Sequence, residues 1–94
     1  MDIILYMWED YEQDEFSTKI ISLLRLVPLE FKVHSFEQDT EMDVVSKTIG
    51  EKVRKLPQIV CDGERIGGYY DLVEHLINKE LITYTGEPKW KKKN

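Results

Sequence analysis

Cysteine is almost missing from this chain of 94 residues: Cys61 is the only one. A lone thiol excludes an internal disulfide framework. No apolar run is long enough to cross a bilayer and no secretory leader pattern opens the sequence, so a cytoplasmic protein without membrane contact is expected. Basic residues are outnumbered, 13 against 18 acids for a net charge of −5, which argues against a general nucleic-acid binder. Lys89, Lys91, Lys92 and Lys93 nevertheless form a basic tail on an acidic body. Repeats and internal linkers are also missing. What remains is one domain, able to bury about 60–68% of its unfolded surface around a single core without metal or disulfides.

Hydrophobic patterning divides the chain into elements. Ile3 to Met7 is a continuous apolar run suited to a central strand buried on both faces. Phe16, Ile20, Leu23, Leu24 and Val27 recur at helical spacing until Pro28, predicting a helix from about Asp14 to Leu26 with Phe16 on its buried face. Phe31 to Ser35 alternates and reads as a second strand, joined to the first by a parallel crossover, with His34 facing solvent on the side away from Phe31 and Val33. Thr40 is placed to cap a second helix through Ile49, with Met42, Val45 and Ile49 on one face and Gly50 as its stop signal.

The densest information lies from Lys55 to Leu76. Gln58 to Cys61 is strand-like, Asp62-Gly63 is a hairpin turn, and Glu64 to Ile66 returns antiparallel. Gly67-Gly68 interrupts the strand and permits close backbone approach. Leu72, Val73, Leu76 and Ile77 then recur at helical spacing after Asp71, with the helix expected to end near Lys79. Leu81, Ile82 and Tyr84 are expected to fold back before Gly86 and Pro88 release the chain.

Pro57-Gln58-Ile59, Asp62-Gly63, Ile66-Gly67-Gly68 and Asp71-Leu72 together resemble the second half of glutaredoxins, and the long loop from Tyr6 resembles that of the phage type. The resemblance covers residues 2 to about 79. It implies a single α/β thioredoxin-like domain over 1–79, β-α-β-α-β-β-α, with a four-stranded mixed sheet and three helices; residues 80–94 are then a C-terminal extension whose basic tail is expected to be disordered. It also implies a cis peptide at Leu56-Pro57, and a glutathione or substrate groove along Lys55, Leu56, Pro57, Gly67, Gly68, Tyr70 and Asp71. Arg54 is a further candidate beside Lys55 for holding a carboxylate.

The chemistry that the resemblance implies is missing. Where glutaredoxins carry a cysteine at the start of the first helix, the four motif positions align with Asp14, Glu15, Phe16 and Ser17, and the nucleophile's position is Asp14. A carboxylate cannot carry out thiol–disulfide exchange, which needs a thiolate attacking sulfur. Cys61 falls on the strand after the proline, where a buried and inert thiol is expected.

Glu9, Asp10, Glu12, Asp14 and Glu15 put five acids and no base before and within the first turn of that helix. They compensate the helix dipole, and they also oppose an anion such as glutathione. Tyr70 stands where a small polar residue holds the ligand's carboxylate in the family. The resemblance groups Trp8, Tyr11, Phe16, Tyr69 and Tyr70 on or beside one mouth. The expectation is a redox-inactive, glutaredoxin-like module with no cofactor and with glutathione disfavoured. Its partner is a protein or basic peptide, contacted through Trp8, Asp10, Tyr11, Glu12 and Tyr69. The alternatives are a retained oxidoreductase or electron donor using an exposed Cys61, and Ser17 as a glutathione-activating hydroxyl.

Overall fold

The computed structural model describes residues 1–83; Tyr84, Gly86, Pro88 and the lysines of the tail lie outside them. The chain runs β1 (Ile3–Trp8), a 3-10 turn (Tyr11–Gln13), α1 (Glu15–Leu26), β2 (Lys32–Phe36), α2 (Met42–Ile49), β3 (Gln58–Cys61), β4 (Glu64–Gly67) and α3 (Tyr69–Asn78). The sheet order is β2-β1-β3-β4, parallel between β1 and β2 and antiparallel across the other two pairs.

Alternation along β1 supplies both sides of the sheet. Ile3, Leu5 and Met7 join Ile20, Leu23, Leu24, Leu72 and Leu76 beneath α1 and α3. Tyr6 goes the other way and packs with Phe36, Val45, Val53, Leu56 and Val60 under α2, with Ile4 and Trp8 against the same cluster. The apolar run of β1 is thus explained by burial on two faces. At the hairpin, Asp62 and Gly63 both take positive φ, 52° and 84°, the combination whose twist matches that of the flanking strands.

Three local expectations are corrected. Thr40 does not cap α2: the helix starts one residue later than its reach, at Met42, with Glu41 as the N-cap and no side-chain cap bond. Gly50 does end it, in the left-handed region at φ 106°. The second strand is shifted by one residue, to Lys32–Phe36, and every residue but Phe36 is exposed because β2 is an edge strand. His34 is exposed as expected, on the side opposite Val33, with its ring 4.7 Å from that of Phe36. Phe16 is 40% exposed rather than buried, since Ser17 is the first-turn residue that faces the interior and Phe16 lies instead beside the rings of Tyr69 and Tyr70.

Two X-Pro peptides are cis, Leu56-Pro57 and also Val27-Pro28, which the sequence reading did not foresee. α3 closes with a C-terminal motif in which Leu81 N–H donates to the Leu76 carbonyl at 2.9 Å and Glu80 N–H to that of Ile77 at 2.9 Å. Glu80 occupies the left-handed position, φ 62°, usually held by glycine. The turn directs Ile82 into the core, where it is 1% exposed. Among the described residues no helix is long and apolar enough to cross a membrane.

Candidate functional site

The site is assembled from two helix N-termini and the proline loop. Asp14 is the N-cap of α1 in extended conformation: its carboxylate accepts from Phe16 N–H at 3.3 Å and from the Ser17 hydroxyl at 2.7 Å. Ser17 is 1% exposed, so its hydroxyl is consumed by the cap and turned away from any ligand. An N-cap side chain serves one of the orphan amides of the first turn. Asp14 therefore places a carboxylate at the N-terminus of α1.

A second carboxylate does the same for α3. Gly68 N–H donates to Asp71 Oδ2 at 3.0 Å, the half of a capping box that reaches back from the third helical residue. This contact explains Gly67: at φ 114°, a Cβ there would collide with the Asp71 carboxylate. Gly68 in turn lies against the proline loop, with the site of a would-be Cβ 3.8 Å from the Pro57 carbonyl oxygen. Leu56 is buried against the α2 cluster, and its amide and carbonyl make no hydrogen bond to another described residue.

The loop before the proline is fixed by a network. Buried Gln58 donates through Nε2 to the Lys55 carbonyl at 3.1 Å and accepts at Oε1 from Arg65 at 3.0 Å. Arg65 Nε also lies 3.2 Å from the Glu51 carboxylate. These residues position the Leu56-Pro57 edge, and the sequence reading did not identify them; a glutamine at the first position of an otherwise apolar strand was the available signal. Lys55 itself is exposed.

The aromatic set divides between the two faces. Phe16, Tyr69 and Tyr70 form one cluster, with ring centroids 5.1–6.3 Å apart, and Tyr70 is 69% exposed. Trp8 does not join them: strand alternation turns it toward α2. Tyr11 packs against the α1 side of the core. The Lys19 ammonium stands 5.7 and 5.8 Å from the centroids of Phe16 and Tyr69 and 2.9 Å from the Glu15 carboxylate. The hydrogen bond and charge of Glu15 raise the Lys19 pKa. Glu9, Asp10 and Glu12 are all exposed on the segment leading into α1.

Cys61 sits elsewhere. It pairs with Ile3 at the far end of β3, is 3% exposed, and is packed in the α1/α3 core. Burial, and next the charge of Asp62, push its thiol pKa up. Pro57 lies four positions back along the chain, about 13 Å in extended conformation. Among the described residues no group of three or more acidic, histidine or cysteine side chains is arranged to hold a metal. A shallow cavity of about 700 Å³ lies beside α2, lined by Met42, Ser46, Lys47, Glu51, Lys52 and Arg54 among others; Arg54 and Glu51 thus reach it, whereas Lys55, Leu56, Pro57, Gly67, Gly68, Tyr70 and Asp71 do not line it.

The fold is that of the glutaredoxins, the small form of the thioredoxin-like domain. Glutaredoxin 1 of Francisella tularensis, crystallised with cacodylate, superposes with a TM-score of 0.67, spanning 85% of this chain and 95% of that one at 16% identity. Escherichia coli glutaredoxin gives a TM-score of 0.54 over 84% and 96% of the two chains at 17% identity. No family model matches the sequence, and no curated protein matches it.

Proposed function

We propose that this protein is a glutaredoxin-fold binding module that does not catalyse thiol–disulfide exchange. In a binding or inhibitory role, it recognises a basic peptide or basic protein surface through the groove between Leu56-Pro57, Gly67-Gly68 and the first turn of α1. The observation that carries the reading is the Asp14 cap, with its 2.7 Å bond from Ser17, at the position aligned with the catalytic cysteine. An oxygen anion there stabilises the helix end without offering a nucleophile to sulfur. Cys61 is no substitute, being buried, disfavoured as a thiolate and at the other end of β3.

The partner's charge follows from the same features. Asp14 and Asp71 already occupy the helix ends that an anionic ligand would use. A further negative charge about 6 Å from one carboxylate is repelled by roughly 0.7–3 kcal/mol for an effective dielectric of 80 to 20. A cationic ligand gains the corresponding attraction and meets the exposed rings of Phe16 and Tyr70. The reading needs no cofactor and no membrane, and it places the protein in the cytoplasm.

Two measurements test it. Glutathione-dependent reduction of a mixed disulfide is expected at the uncatalysed rate; turnover that disappears in Cys61→Ser overturns the loss of catalysis. In NMR titrations a lysine-rich peptide is expected to shift the Leu56, Phe16 and Tyr70 signals in a salt-sensitive way, with glutathione shifting them little. The opposite preference overturns the choice of partner.

A further inference from the structure

The exposed rings of Phe16 and Tyr70 form an apolar patch where α1 and α3 begin, next to the Glu15–Lys19 ion pair, and Asp10 and Glu12 are exposed on the segment leading into α1. One cation already uses it: Lys19 reaches over Phe16 and Tyr69 from within α1. A second cationic sequence is available in the same chain. Residues 89 to 93 read Lys-Trp-Lys-Lys-Lys, an aromatic ring among four positive charges, in a protein whose net charge is −5.

Geometry lets the two meet. Ile82 is anchored in the core beside Leu72 and Leu76, and Lys79 and the chain's amino terminus both act electrostatically on Cys61. The C-terminal end of α3 therefore lies at the Cys61 end of the sheet, while Tyr69 and Tyr70 at its start touch Phe16. The ten residues of α3 separate these ends by about 15 Å. Lys89 and Trp90 stand six and seven residues beyond Thr83, a reach of about 20 and 23 Å when extended. The charged segment can return to the mouth without strain.

We infer that the Lys89-Trp90-Lys91-Lys92-Lys93 segment is a ligand of the Phe16/Tyr69/Tyr70 patch in its own chain, competing with any external basic partner. The inference rests on the groove reading above. It makes that groove self-occupied, opening when a partner outcompetes the tail. A short tether holds the segment at about 1 mM effective concentration. If the free segment binds with a dissociation constant of about 0.1 mM, self-occupancy weakens an external ligand about tenfold.

The test uses the full chain. With a spin label on Asn94→Cys, line broadening is expected at the amides of Phe16, Tyr69 and Tyr70, reduced by salt and independent of protein concentration. Broadening spread over other faces, or growing with concentration as the tail reaches a second copy, overturns the inference. The pentapeptide Lys-Trp-Lys-Lys-Lys is then titrated onto the original chain and onto a variant combining Trp90→Ala with Lys91→Gln, Lys92→Gln and Lys93→Gln. The variant is expected to bind about tenfold more tightly. Equal affinity, with peptide shifts at Phe16 and Tyr70 in both, overturns self-occupancy and leaves the groove reading standing. Absence of peptide shifts in both proteins overturns the two together.

Discussion

Replacing Gly67 by alanine tests whether the Asp71 carboxylate fills the end of α3. Gly67 lies at φ 114°, where an L side chain is strained, and an added Cβ would fall on the Asp71 carboxylate, 2.8 Å from its Cγ. The backbone contribution is about 1–2 kcal/mol. Expulsion of Asp71 from its 3.0 Å bond to Gly68 N–H adds loss of a helix cap, about 1 kcal/mol. Gly67→Ala is therefore expected to destabilise by about 2–3 kcal/mol, lowering the urea midpoint by about 2–3 M at a slope near 1 kcal/mol/M. Asp71→Ala alone removes only the cap, about 1 kcal/mol. In the double variant the cap is lost once, so the combined loss should fall short of the sum of the singles by about 1 kcal/mol. Additive losses, or a Gly67→Ala loss below about 0.5 kcal/mol, refute the close packing of Asp71 against this glycine. Asp71→Ala carries a functional corollary: with the amides of the first α3 turn uncovered, glutathione should shift their NMR signals in that variant more than in the original.

Asp14→Ala removes the α1 cap and leaves the buried Ser17 hydroxyl without its acceptor, an expected loss of about 2–3 kcal/mol in urea unfolding, whereas Asp14→Asn keeps an acceptor and should lose less than about 1 kcal/mol. Equal losses would show that the cap is not what Asp14 contributes. Glu80→Gly relieves a left-handed non-glycine residue at the end of α3; after the added freedom of the unfolded chain it should stabilise by about 0.5–1 kcal/mol, seen as a raised urea midpoint. Cys61 has its pKa raised by burial, so the unfolded chain ionises first. Its contribution is full below about pH 8.5 and is lost as pH rises through the higher folded value. Stability measured from pH 8 to 10 should fall, less steeply in Cys61→Ala, and a thiol reagent should react at pH 8 only as fast as the protein unfolds.

What the sequence disclosed and what it concealed separate along physical lines. The β1 run, the Asp62-Gly63 turn and the Gly50 stop were legible because each is fixed by burial or by φ of a few adjacent residues. Phe16 misled because its spacing to Ile20 fits the helical period, while only the tertiary arrangement shows that Ser17 rather than Phe16 is the first-turn residue turned to the interior. The β2 pattern misled similarly: alternation cannot reveal that a strand is at the sheet edge, with Val33 left exposed. Trp8 could have been separated from Tyr69 and Tyr70 by counting parity along β1, since Ile4, Tyr6 and Trp8 share the α2 face. Asp71 was readable as a helix-start signal but not as the group that closes the helix end, which depends on the backbone turn at Gly67-Gly68.

One physical demand acts at both helix starts. The start of a helix presents unpaired N–H groups and a positive field, and it favours an anion of any kind. A thiolate satisfies that demand and also attacks sulfur; a carboxylate satisfies only the demand. With Asp14 capping α1 and Asp71 capping α3, the anion at each helix start beside the proline loop is supplied by the chain's own carboxylates. The groove keeps its backbone geometry for the same reason, since Gly67, Gly68 and the Gln58 network serve the fold whether or not sulfur chemistry occurs. The Asp14 and Asp71 carboxylates put negative charge at the two helix starts, and under the function proposed above that sign favours a cationic partner over an anionic one.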